Sequence, residues 1–348
     1  MRTSICHVSA LVLGALVFGA LAGGFDATPA SAAYHLVKKI PIGGEGFWDY
    51  LTVDSAAKRL YVSHGTHVVV VDLETDKVAG DIPDTPGVHG IALAPELGRG
   101  FISCGRANVA KIFDLKTLKI LGEVKTGENP DAILYDPASR LVFTFNGRSN
   151  DATAFEAATG KTAGTLALGG KPEFACADGA GTVFVNIEDK SEVVVVDSKK
   201  LTVVQRIPLS PGEEPSGMAI DVEHHLVFSG CHNKLMTVVD PRQGKMIGTA
   251  PIGSGVDGCG FDPGTGLAFA SNGDGTLTVA KESPEKSLSV VESPATQRGA
   301  RTMALDPATH LIYLPTAEFG PPPEPTAENP RPRPSIVKDS FVILVMAP

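Results

Sequence analysis

The stretch Tyr50–Ile82, YLTVDSAAKRLYVSHGTHVVVVDLETDKVAGDI, holds four short apolar runs separated by turn formers. The runs are Tyr50–Val53, Leu60–Ser63, Val68–Asp72 and Lys77–Ile82. They are rich in β-branched residues and show no helical period, so they read as strands A to D of one antiparallel sheet. The unit returns along the chain as an apolar run, an Asp (often Asp-Pro), a short gap, then Leu-Tyr-Val-Ser or a variant. Its anchor falls at Asp54, Ala94, Asp136, Asp178, Asp221, Asp262 and Asp306, at spacings of 40, 42, 42, 43, 41 and 44 residues. VVVVD recurs at Val193–Asp197, with variants at Ala110–Asp114 and Met236–Asp240. Four antiparallel strands at this period predict an all-β fold, a seven-bladed β-propeller. The seventh unit runs out after Phe341–Val345 with no D strand, while Tyr34–Pro41 (YHLVKKIP) reads like the D strand at Leu201–Pro208. The N-terminal strand is therefore expected to complete the last blade and remove the open sheet edge.

Composition agrees with a folded domain: of 348 residues, 43% are hydrophobic and 20% charged, which excludes wholesale disorder and a collagen-like fibre. A net charge of −9 and the lack of any basic run longer than two residues argue against nucleic acid as a partner. Residues 1–32 read as a signal peptide. Arg2 precedes a fourteen-residue apolar run, Val8–Leu21, too short to span a bilayer, and Ala30-Ser31-Ala32 supplies a cleavage site. The expected mature chain, 33–348, has no transmembrane segment and is periplasmic or secreted. Its four cysteines, Cys104, Cys176, Cys231 and Cys259, allow one or two disulfides, with Cys231 and Cys259 on neighbouring elements.

LYVSH (Leu60–His64), VVVVD, Asp136-Pro137 and TGKTAGTL (Thr159–Leu166) resemble the YVTN-repeat propellers, the YncE-like family of exported bacterial proteins. The resemblance spans the whole mature chain. It implies the fold and export, but no single activity, because propellers host binding proteins, hydrolases, lyases and oxidoreductases alike.

Alternating strand direction puts the start of strand A and the B–C loop of every blade on one face. Five residues before each anchor stand Asp49, His89, Asp131, Glu173, Ser216, Asp257 and Arg301. Around the ends of strand B stand His64, Cys104, Asn146, Asn186, Cys231, Asn272 and Thr316, followed closely by His67, Arg106 and His232. From these, Trp48, Asp49, His89, Arg106, Asp131, Glu173, Asp257 and Arg301 are the candidate ligand-binding residues. Arg301 facing a ring of acids can orient a carboxylate, lactone or phosphate, and crowded carboxylates raise one another's pKa. His64, His67, His89 and His232 are candidate ligands for copper, zinc or iron, since imidazole is the commonest donor to these metals. Cys104 is a candidate nucleophile if a histidine lies beside it. On the opposite face, Asp54, Asp136, Asp262 and Asp306 read as turn formers, and His224, His225 and His310 receive no role.

One segment breaks the repeat. Residues 317–338 replace the B–C loop of the seventh blade, and Pro321–Pro334 contains seven prolines, so it is expected to be extended and to lie over the channel mouth. The leading functional reading is capture of a small polar ligand or metal ion on the acid-rich face. A metal-dependent hydrolase, lyase or oxidoreductase and a scaffold for protein partners are its rivals.

Overall fold

The computed structural model describes residue 1 and residues 33–283, 288–326, 332 and 334–348. The chain divides into residues 1–32 and 33–348, so the signal-peptide reading lies outside the described residues. Within 33–348 the chain forms seven sheets of four antiparallel strands each. Blades 1 to 6 run in sequence order from Leu51–Ile82 through Val256–Glu292. The seventh is composite: Ala304–Asp306, Leu311–Thr316 and Val342–Ala347 are joined by His35–Pro41, which pairs antiparallel with Val342–Ala347. The inner strand of blade 7 then meets that of blade 1, which closes the ring. Among the described residues the only helical turns are Pro95–Leu97 and Glu188–Lys190, and no helix is long and apolar enough to cross a membrane.

The valine runs fold this way because each blade is covered on both faces. In blade 1, Val69 and Val71 enter the apolar cluster shared with blade 7, while Val68 and Val70 enter the cluster shared with blade 2. Successive residues of a strand point to opposite faces, so an unbroken apolar run fits only a sheet buried on both sides. Seven such clusters result, one for every blade-to-blade interface. The outer D strands carry the exposed residues, Val78, Leu121 and Val204 among them.

The anchor aspartates are turn caps, and all but the half-buried Asp178 are buried. Asp136 accepts bonds from the Ser139 amide (3.0 Å) and hydroxyl (2.7 Å), and from Ser198 of the next blade at 2.6 Å. Asp262 likewise receives His310 of blade 7 at 2.6 Å, and Asp306 receives Ser55 of blade 1 at 2.5 Å. These carboxylates tie turns and neighbouring blades together on the face away from the candidate site.

All four described cysteines are free thiols, so the Cys231–Cys259 disulfide that the sequence allows is not formed. Burial pushes the Cys104 thiol up to about 12, which removes it as a nucleophile.

Candidate functional site

The ring residues sit where the inner strands lose register. The A–B pairing slips between Val88 and Ile91, Pro130 and Ile133, Pro172 and Ala175, Pro215 and Met218, and Val256 and Gly258. His89, Asp131, Glu173, Ser216 and Asp257 lie inside these slips, where a bulge re-aims side chains. In blades 2, 4 and 6 a polar residue one place before the end of strand B holds the next blade's ring position. Ser103 donates to the Asp131 carbonyl (2.5 Å), Asn186 to that of Ser216 (2.8 Å) and Ser271 to that of Arg301 (2.5 Å). Thr302 closes the circle by donating to the Asp49 carbonyl at 2.7 Å. Asn186 is thus a buried tether. The position at the end of strand B in blade 4 belongs to Ile187, which pairs with Pro172.

The side chains form one charged network. His89 Nδ1 lies 2.6 Å from Asp49 Oδ2 and 3.4 Å from Asp131 Oδ1. Arg301 pairs with Asp257 at 2.6 Å and approaches Asp49 at 3.9 Å, while Ser216 donates to Asp257 at 2.6 Å. On the other side Lys171 bridges Glu173 (2.7 Å) and Glu188, and His232 reaches Glu188 at 4.0 Å. Burial opposes charge on His89, but the hydrogen bond to Asp49 and the nearby Asp131 and Glu173 outweigh it, raising its pKa to about 9. Burial, and then the neighbouring acids, push Glu173 up to about 8. Asp257 is raised by burial in spite of Arg301.

Asp49, His89 and Asp131 come from three consecutive blades, and their donor atoms lie within 4.8 Å of one another. Two carboxylates and an imidazole at that spacing can hold a divalent ion. No other donor group of this kind among the described residues includes His64, His67 or His232.

The expected convergence of four histidines therefore fails. Strand B stands one strand outside the channel, and His64, its last residue in blade 1, turns into the interface with blade 7. It stacks on Phe341 at 4.5 Å, is 2% exposed and has neither ring nitrogen hydrogen-bonded. Burial and the adjacent His67 lower its pKa to about 4. His67 pairs instead with Asp81 at 3.7 Å. Trp48 is also core, stacked on Phe341 at 5.0 Å and distant in role from the ring acids. Arg106 stands in an exposed turn with no ion pair among the described residues. A second donor group, Asp221, His224 and Glu282, lies on the opposite face. There Asp221 already caps its own turn through the Glu223 and His224 amides.

The floor of the mouth was not read from the sequence. Tyr50 of blade 1 meets Phe174 of blade 4 edge-on at 4.9 Å, across the ring. Tyr50 is buried, and its hydroxyl is held protonated by that burial and by Asp257, Asp131, Asp49 and Glu173. The repeat does carry the signal. Four residues before the anchors stand Tyr50, Gly90, Ala132, Phe174, Gly217, Gly258 and Thr302, two aromatics among five small residues. The small residues are needed for close approach: a Cβ on Gly217 would meet the Gly258 backbone at 2.7 Å.

The Pro-rich segment is anchored at both described ends. Phe319 bridges to Ile336, and Gly320 donates to Ser335 at 2.8 Å. Its centre, 327–331 and 333, lies outside the described residues.

No protein-family model and no curated protein matches the chain. Among solved structures it is similar to Kuenenia stuttgartiensis hydrazine synthase, with a TM-score of 0.68, 13% identity, and 84% of this chain and 96% of that chain covered. At that identity the likeness speaks for the fold alone, and together with the seven sheets it identifies the chain as a seven-bladed β-propeller.

Proposed function

We propose that this chain is an exported, YncE-like binding protein that holds a divalent metal ion, and with it a small polar ligand, in the cup at its channel mouth. The carrying observation is the meeting of Asp49, His89 and Asp131 donor atoms within 4.8 Å, from three consecutive blades, with all three residues half-buried. One imidazole and two carboxylates favour zinc, iron(II) or manganese over the softer copper(I). Export rests on the reading of residues 1–32, and the family on the repeat motifs.

The test is elemental analysis of untagged protein after incubation with zinc, iron(II), manganese and copper salts. The expected result is one ion per chain, lost in His89→Ala and Asp131→Asn and kept in His64→Ala and His232→Ala. A chain that stays metal-free through all four incubations overturns the reading. A metal-dependent enzyme on the same residues is the second reading, favoured by Glu173, whose carboxyl is pushed up to about 8 by burial and by the neighbouring Asp131.

A further inference from the structure

A second hollow adjoins the cup between blades 6 and 7. It has a volume of about 400 Å³, and Arg298, Arg301, Phe319 and Pro334 line it together with Ser254 and Gly273. We propose that it is a subsite for a small organic carboxylate, with the carboxylate on Arg298 and Arg301 and the apolar body against Phe319 and Pro334. The proposal deepens the binding function above by naming the ligand class, and its placement beside the metal donors rests on that reading.

Three observations carry it. First, Arg298 is exposed and has no ion-pair partner among the described residues, in a chain of net charge −9. An acidic protein that leaves a guanidinium unpaired inside a hollow presents a place for an anion. The one acid lining the hollow, Asp274, is occupied: it accepts from the Ser254 amide at 2.7 Å and from the Thr276 hydroxyl at 2.7 Å.

Second, Arg301 breaks the ring pattern. Its position carries Asp, Glu, His or Ser in the other six blades. Its guanidinium is held at 2.6 Å by Asp257, yet the side chain remains 45% exposed and lines the hollow. It lies 3.9 Å from Asp49, so an anion on Arg301 sits next to the metal donors.

Third, the walls are built for an organic body and not for a bare ion. Phe319 packs so close over Gly299 that a Cβ there would meet its ring at 2.6 Å. The backbone bridge to Ile336 anchors Phe319, and its ring also lies against Trp48 at 6.1 Å. The volume falls in the range of small-molecule sites, which combine apolar walls with a few placed polar groups.

The test is calorimetric titration of the full chain with benzoate, and separately with inorganic phosphate, before and after chelation. Benzoate is expected to bind the chelated protein. Arg298→Ala should weaken it about tenfold or more, as loss of a charge-assisted hydrogen-bonding pair does. Phe319→Ala should weaken benzoate but leave phosphate unchanged. Thermal melting run alongside shows that both variants are folded, and a fold lost in Phe319→Ala is replaced by Phe319→Leu. No benzoate binding, or binding indifferent to Arg298→Ala, overturns the proposal. Phosphate binding as tightly as benzoate overturns the organic-acid assignment. Benzoate binding in a chain that takes up no metal refutes the metal reading alone, and metal uptake without benzoate binding refutes this one alone.

Discussion

Tyr50 and Phe174 touch edge-on at 4.9 Å although their blades stand on opposite sides of the ring. No other blade supplies an aromatic side chain at that position of the repeat, and among the described residues this is the one aromatic pair that spans the ring. Both aromatic rings also bury apolar area that the small residues around them cannot.

Removing one partner is expected to cost more than a surface substitution. Phe174→Ala should lower unfolding stability by about 3 kcal/mol in a denaturant titration, because its ring packs against Tyr50 and against the apolar clusters on both sides of blade 4. Metal content should be unchanged, since Phe174 supplies no donor. A loss below about 0.5 kcal/mol would mean that the pair is an incidental contact.

His64 sets an acid limit. Its folded pKa of about 4 lies below its ordinary value of 6.5, so the unfolded chain takes up the proton first as pH falls. Stability is full above about pH 6.5 and declines down to about pH 4, by roughly 3 kcal/mol in all. His64→Phe keeps the stack on Phe341 and removes two unpartnered nitrogens. It should therefore stabilise the protein by about 1 kcal/mol at neutral pH and flatten the acid slope of the melting temperature.

Glu173 acts in the opposite direction. Its folded pKa of about 8 lies above the ordinary 4.5, so the folded chain holds that proton more tightly. Its contribution is full below about pH 4.5 and is lost as pH rises through about 8. In chelator-treated protein, Glu173→Gln should raise the melting temperature above about pH 8 by a few degrees and change little in acid.

The two faces should separate cleanly by mutation. Asp136 is fully buried and satisfies a turn amide and two hydroxyls, one of them from the next blade. Asp136→Ala should cost about 2–3 kcal/mol by leaving those donors unpaired. Metal uptake by the folded fraction should match the parent chain, whereas Asp131→Asn should show the reverse pattern in melting and elemental analysis.

Much of this was legible in the repeat. The anchor spacing gave blade number, and the orphan strand Tyr34–Pro41 gave the closure, with His35–Pro41 found in place. Six ring residues, Asp49, His89, Asp131, Glu173, Asp257 and Arg301, lie in one network because they share a position in the period. Trp48 and His64 were misplaced for a common reason. Trp48 stands next to a ring position in sequence and His64 ends strand B, but alternation along the chain turns both between blades 7 and 1, where Phe341 receives them. The Tyr50–Phe174 contact spans the channel, and no local pattern states which residues meet across an empty axis. Lys171, which joins Glu173 to Glu188, is not legible in the repeat because its place in the period carries no recurring charge.

The composite blade also fixes an order of assembly. His35 pairs with Ala347, so the two ends of the folded unit meet only when every strand between them exists. Contacts of such sequence separation close late, after local hairpins have formed and stacked. The first strand of the folded unit is thus expected to be the last to pair, and until then it is a bare edge. Lys38 and Lys39 stand in it, and charged side chains on a bare strand discourage pairing with another molecule. Once the ring is shut, Lys38 reaches Asp76 of blade 1 at 2.6 Å, so the charge that guarded the waiting strand becomes a stitch across the seam.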